Sequence, residues 1–181
     1  MFPRTIRSLI PVSKGRTISS KAYTDAIVLL KADLKQAMIN KDNLKKNTIR
    51  SLLSTIKNKE IDNKDKHFDE FMLYDIFSKM VSQRQESITN FIKNKRDDLV
   101  EKETQEIEQI SQYLNSLPVA SPKEIEAKVI QFLAELKQSQ PDLKLPQVFN
   151  KIDWNTIPKQ WKASPASIRS SIANNFKKSI K

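Results

Sequence analysis

Cysteine is absent from this sequence, glycine occurs once, at Gly15, and histidine once, at His67. Without cysteine there is no disulfide, no thiolate nucleophile and no Cys-based zinc site. A single histidine removes His-pair metal sites and disfavours a nucleophile–His arrangement. The 166 residues after Gly15 contain no glycine, whereas loops that cradle phosphates need it for close backbone approach. A P-loop, a dinucleotide fingerprint and a nucleophile elbow are therefore excluded. No apolar run is long enough to span a bilayer. The inventory points to no catalytic set, no metal and no cofactor.

What the chain does have is positive charge. Its 181 residues carry 32 Lys and Arg against 21 Asp and Glu, a formal net charge of +11. This length fits one domain or two small helical ones and suffices to bury a core. Residues 1–20 hold Arg4, Arg7, Lys14 and Arg16, no acid and many hydroxyls, with Phe2, Ile6, Leu9 and Ile10 on one helical side. That composition reads as a mitochondrial transit peptide.

From Thr24 onward the sequence reads as helices. Ile27, Leu30, Leu34 and Met38 fall on one face of a helix that Thr24 can cap. Lys41-Asp42 links it to a second helix, from Asn43 to about Ile61, as a hairpin. Two longer helices follow, from about Asp69 to Asn94 and from about Asp97 to Leu117. Asp97 and Asp98 suit the start of the last electrostatically, and Pro118 ends it. Ser121-Pro122-Lys123-Glu124 is a helix start with a capping box. A shorter helix opened by Pro146 and a last one opened by Ser164-Pro165 complete the chain. The expected fold is all-α: an N-terminal four-helix unit (a helical hairpin plus two longer helices) followed by a small C-terminal three-helix bundle. The expected organisation is transit peptide 1–20, N-terminal helical domain 21–118 and C-terminal bundle 119–181.

Charge is unevenly spread. Residues 21–60 are net +5 and residues 141–181 net +6, around an acidic middle. Such asymmetry suggests a polyanion partner. With Leu44 at zero and 100° per residue, Lys46, Arg50 and Lys57 fall at about 200°, 240° and 220°, a ridge beside the apolar arc. Asn47 and Ser54 lie next to it, so cations and neutral donors could track phosphates together. The alternative is an edge paired internally with acidic helices, above all at Arg50. The acidic run Glu101, Glu103, Glu106 and Glu108 reads as a solvated helix face, with Lys102 to Glu106 at pairing distance. His67 reads as a loop residue. Trp154 and Trp161, beside Lys159 and Lys162, read as core of a small bundle in preference to a base-stacking platform.

Ile49-Arg50-Ser51-Leu52-Leu53-Ser54-Thr55-Ile56-Lys57-Asn58 resembles the second-helix motif of the YqeY family. Leu34-Lys35-Gln36-Ala37-Met38, Gln83-Arg84-Gln85-Glu86-Ser87-Ile88 and Arg96-Asp97-Asp98-Leu99 resemble motifs of its other helices. Gln147-Val148-Phe149 and Ala163-Ser164-Pro165 match more faintly. The resemblance covers about residues 24–176 and extends to the family's fungal mitochondrial members. It departs at Lys95, where the family has glycine, so that Asn94 is expected to take the left-handed conformation. Glycines expected before Val148 and near Ser164 are also missing.

The resemblance implies a domain similar to the C-terminal tail of GatB, a subunit of the glutamine-dependent amidotransferase that acts on mischarged tRNA. That tail contacts tRNA, while the chemistry occurs elsewhere. Three readings follow for this chain. One is a non-catalytic tRNA- or RNA-binding accessory module in the mitochondrial matrix. Another is a protein-interaction or assembly module. The third is carbon–nitrogen ligation, with glutamine as amide donor, through association with an amidotransferase complex, whereas the first would link the chain to that amidotransferase or to a mitochondrial translation complex. For the first, the candidate nucleic-acid-binding residues are Lys46, Arg50 and Lys57, supported by Lys159, Lys162, Lys177 and Lys178.

Overall fold

A computed structural model describes residues 19–63, 67–140 and 143–179, except for the side chains of 177–179. The transit-peptide reading thus falls almost wholly outside the described residues. Helix α1 (Lys21–Ile39) starts earlier than its apolar spacing suggests. Ser20, not Thr24, is its N-cap, its hydroxyl accepting from the Tyr23 N–H at 3.1 Å. The extra turn brings Tyr23 into the core, where it stacks on Phe68 with ring centroids 5.8 Å apart. Asp42 caps α2 (Asn43–Asp62) and Asp69 caps α3 (Glu70–Lys93), each accepting a backbone N–H of the first turn. Helix α4 (Asp97–Ser116) carries Asp97 and Asp98 in its first turn, as expected.

The turn between α3 and α4 differs from expectation. Asn94 keeps a negative φ of −94°, and Lys95 takes the left-handed conformation with φ 55°. The hydrogen bonds give the reason. Arg96 N–H reaches back to Phe91 O at 3.0 Å and Lys95 N–H to Ile92 O at 3.1 Å. This is the Schellman pattern, whose left-handed residue is the one after the cap. Lysine therefore stands in the conformation that glycine adopts most readily. Lys41 and Lys162, with φ 55° and 52°, do the same elsewhere.

The first core lies among α1 to α4. Leu30, Ile49, Leu52, Leu73, Phe77 and Ile110 are at most 1% exposed. Two buried phenols fasten the helices around it. Tyr23 Oη donates to Glu60 Oε1, and Tyr113 Oη to Asp33 Oδ2, both at 2.6 Å. These bonds tie α1 to α2 and to α4. Burial pushes both phenols far above the ordinary tyrosine range, and the hydrogen bond to, and charge of, each carboxylate push the same way. A raised phenol pKa means that the fold holds the proton more tightly than the unfolded chain does. Stability is then kept below the unfolded value of about 10 and falls as pH rises beyond it. The wild type is expected to lose denaturant resistance steadily above about pH 10, and a Tyr23→Phe/Tyr113→Phe variant to lose much less over the same range. Equilibrium denaturation between neutral and strongly alkaline pH checks this, and parallel curves for the two proteins would refute it.

The second core follows at once. Leu117 belongs to the first cluster and Ala120 to the second. Helix α5 (Pro122–Ser139) has the capping box of Ser121 and Glu124. Helix α6 (Leu145–Asn150) and α8 (Pro165–Ser179) are the other expected helices. A short fourth helix, α7 (Ile157–Trp161), lies between them. Five residues are too few to show a helical period, and Pro158 marks only a start. Ile125, Val129, Leu133, Val148, Ile168 and Ile172 fill this core. Both tryptophans pack against it, as expected. Trp154 Nε1 donates to Phe149 O at 3.1 Å, and Trp161 meets Phe132 edge to face at 6.0 Å.

One polar bond closes the second unit on its own first residues, and another joins the two units. Ala120 N–H donates to Lys162 O at 2.7 Å. Ser164 Oγ accepts from Ser167 N–H at 3.0 Å, as the N-cap of α8, and donates to Asp75 Oδ1 of α3 at 2.6 Å. Burial raises the Asp75 carboxyl pKa. The Ser164 hydrogen bond opposes that rise, and the charge of Asp69 adds to it.

Candidate nucleic-acid interface

Helix α2 positions the principal candidates. Thr48, Ile49, Leu52 and Ile56 are its buried residues, and Thr48 hides its hydroxyl by donating to Leu44 O at 3.0 Å. This inward face fixes the rotation of the helix, leaving Lys46, Arg50 and Lys57 along one border. Their environments differ. Arg50 is exposed and makes no ion pair among the described residues, so the internal pairing considered for it is not observed there. Lys46 is half-buried, its ammonium donating to the neutral amide of Asn43. Lys57 is exposed, but its Nζ lies 3.0 Å from Glu60 Oε2.

Glu60 links this border to α1. Burial pushes its carboxyl pKa up, but hydrogen bonds from Tyr23 and Lys57, with the charges of Lys57 and Lys31, overcome this and hold it below the ordinary value. Lys31 of α1 is therefore electrostatically part of the same neighbourhood. Lys35 stands one turn further along the exposed side of α1. Both add positive charge on α1, beyond the residues expected from sequence, and Lys31 does so next to the α2 border. The available signal was their i, i+4 spacing on either side of Leu34. Lys45 instead turns toward Asp33 of α1, at 3.7 Å.

The C-terminal candidates sit elsewhere. Lys159 lies on α7 and Lys162 is the residue after it, both exposed. The left-handed Lys162 offers its carbonyl to Ala120, so its backbone has a structural task independent of its charge. Lys177 and Lys178 lie on the last turns of α8, and their side chains are outside the described residues. Helix α2 packs against α1, α3 and α4, whereas α7 contributes to the second core. The candidates thus fall into two groups, one on each unit. Pro146 and Pro165 occupy the first turns of α6 and α8, in the neighbourhood of the missing glycines.

Part of the acidic run is not a solvated face. Arg84 of α3 directs Nε and Nη2 to Glu106 Oε2, at 3.0 and 2.7 Å, and its Nε lies 3.8 Å from Glu103 Oε2. The side chains of Arg84 and Glu106 are each only 15% exposed. The reason is the close packing of α3 along α4, which turns Glu103 and Glu106 toward the partner helix. His67 is exposed and lines a cavity of about 770 Å³ along α2 and α3, with Ser51, Lys59, Asp75 and Lys79. Among the described residues no cluster of His, Asp or Glu could hold a metal ion, and no helix is long and apolar enough to cross a membrane.

Comparison with known proteins extends this description. The family model for Yqey-like protein matches residues 28–156, from α1 into the segment before α7. The protein named "Altered inheritance of mitochondria protein 41, mitochondrial" of Kluyveromyces lactis is 60% identical over 90% of this chain and 88% of its own. The protein of that name in Eremothecium gossypii is 56% identical over 91% and 90%. That of Saccharomyces cerevisiae strain YJM789 is 47% identical across the whole of both chains. With the family model covering more than half of the chain and relatives matching nearly end to end, the chain belongs to the Yqey-like protein family and, like the relatives so named, is mitochondrial.

Proposed function

We propose that this chain is a non-catalytic accessory module of the mitochondrial matrix that holds tRNA by its phosphates, in the service of glutamine-dependent amidotransferase or mitochondrial translation. In this reading the unit of residues 21–118 carries the contact and that of 119–181 supports it. The observation that carries the reading is Arg50. It is an exposed guanidinium without an ion-pair partner among the described residues, between Lys46 and Lys57 on one helix edge. A planar fork of donors suits phosphate oxygens. Lys57 is already held by Glu60, so it contributes less than its charge suggests.

Phosphate contacts release counterions, so log affinity should fall with log salt by about 0.9 for each phosphate neutralised on a duplex. Three contacts at most give a slope near −3 at this edge. Arg50→Glu should weaken binding by about tenfold or more, a charge-assisted hydrogen bond contributing roughly 1.5–3 kcal/mol. Lys46→Glu/Lys57→Glu should weaken it for all tRNAs alike, because phosphate contacts position without reading sequence. The measurement is a binding titration with purified tRNA at two salt concentrations, using variants whose helical circular dichroism is intact. Salt-independent binding, or folded variants that bind as tightly as wild type, would favour the protein-interaction reading.

A further inference from the structure

We propose that the outer face of α1 docks on an anionic lipid surface. The inner side of this helix is packed through Tyr23, Leu30 and Ala37. An amphipathic helix packed on one side should be polar on the other. Here Val28, Met38 and Ile39 are 61%, 52% and 63% exposed, and Leu29 is exposed as well. Lys21, Lys31 and Lys35 are exposed on the same outward side, with Asp25 as its one acid. Unpartnered apolar groups gathered on one helix mark an interaction surface.

Charge and shape select the occupant. A second copy of the chain would bring the three lysines of one such face against the three of another, with only Asp25 on each to offset them. Residues 1–20 carry four cations and no acid, so they too are repelled. A depression on this face, between Lys31, Leu34, Lys35, Met38 and Ile39, is shallow and open. It does not form the deep groove that a partner helix would fill. A surface with an apolar interior and anionic headgroups meets both requirements. Val28, Met38 and Ile39 enter the boundary while the lysine stems lie along it and present their ammonium groups to the phosphates.

The absence of cysteine makes a site-specific test possible. In the full chain, Val28→Cys or Ile39→Cys is labelled with an environment-sensitive fluorophore, with Glu108→Cys on the exposed side of α4 as control. Vesicles of phosphatidylcholine containing phosphatidylglycerol are expected to blue-shift the labels at 28 and 39 but not at 108. Pure phosphatidylcholine vesicles are expected to shift none. Each lysine beside an anionic surface is worth about fivefold in affinity, so Lys31→Gln/Lys35→Gln should weaken the response about 30-fold. Because the label reports its own position, binding by residues 1–20 alone leaves it unmoved and overturns the proposal. So does a shift that grows with protein concentration in the absence of vesicles, which would mean self-association, or an equal shift with neutral vesicles. The assay contains no RNA, so this proposal and the tRNA reading fail separately.

Discussion

Ile49→Ala is expected to lower stability by about 2–5 kcal/mol, while Arg50→Ala beside it should stay within about 0.5 kcal/mol of wild type. Ile49 is 0% exposed in the first core. It lies on the inward face of α2 with Leu52 and Ile56. Truncation removes three carbons and leaves a cavity that the close-packed helices fill only in part, so transfer and cavity terms add. The loss is large against the 5–15 kcal/mol by which domains are usually stable. Arg50 is one residue further on and points to solvent without an ion pair among the described residues. Its removal costs only helix propensity and a little packing of its stem. Denaturant midpoints of the two variants check the contrast. An Arg50→Ala loss comparable to that of Ile49→Ala would assign the guanidinium a structural role and remove the basis of the tRNA proposal.

Arg84→Met is expected to destabilise by about 2–3 kcal/mol, less than the 3–5 kcal/mol typical of a fully buried broken pair because these groups keep some solvent. The guanidinium sits between two carboxylates of α4 and also donates to Met80 O at 3.3 Å. Its loss leaves Glu103 and Glu106 largely buried and without their counterion. The penalty arises chiefly from that uncompensated charge and less from the lost attraction. Removing the carboxylate as well should therefore recover much of the stability, and Arg84→Met/Glu106→Leu should be more stable than Arg84→Met alone. A double-mutant cycle by equilibrium denaturation measures the coupling. A double variant no better than the single one would mean that the pair contributes through packing of its stems.

Local signals in the sequence were readable and distant ones were not. The capping box at Ser121 and Glu124 and the acidic first turn of α4 depend on residues within one turn of each other. The apolar spacing of α2 likewise places its own buried face. Tyr23 with Glu60, Tyr113 with Asp33 and Asp75 with Ser164 are 37, 80 and 89 residues apart. Only packing brings them together, and no spacing rule announces it. The left-handed conformation falls at Lys95, the position of the family's glycine, and not at Asn94, because a preference for asparagine names a residue type whereas the hydrogen-bond pattern fixes the position. The border of Lys46, Arg50 and Lys57 followed from helix geometry. The counterion at Glu60 was three residues from Lys57 and could have been anticipated from sequence alone.

The hydrogen bond between Ser164 and Asp75 bears on how this protein can be shortened. The match to the family ends at residue 156, which invites a cut there. Such a fragment would lack α7 and α8, and with them Ile168 and Ile172, both 0% exposed. The apolar sides of α5 and α6 would then face water, an invitation to aggregation. Asp75 would lose the hydroxyl that meets it, leaving a carboxylate at the rim of the first core with no donor from the second. The smallest piece that keeps both cores whole therefore extends past the family boundary to the end of α8, whereas a cut after Leu117 leaves the first core with all of its own buried residues.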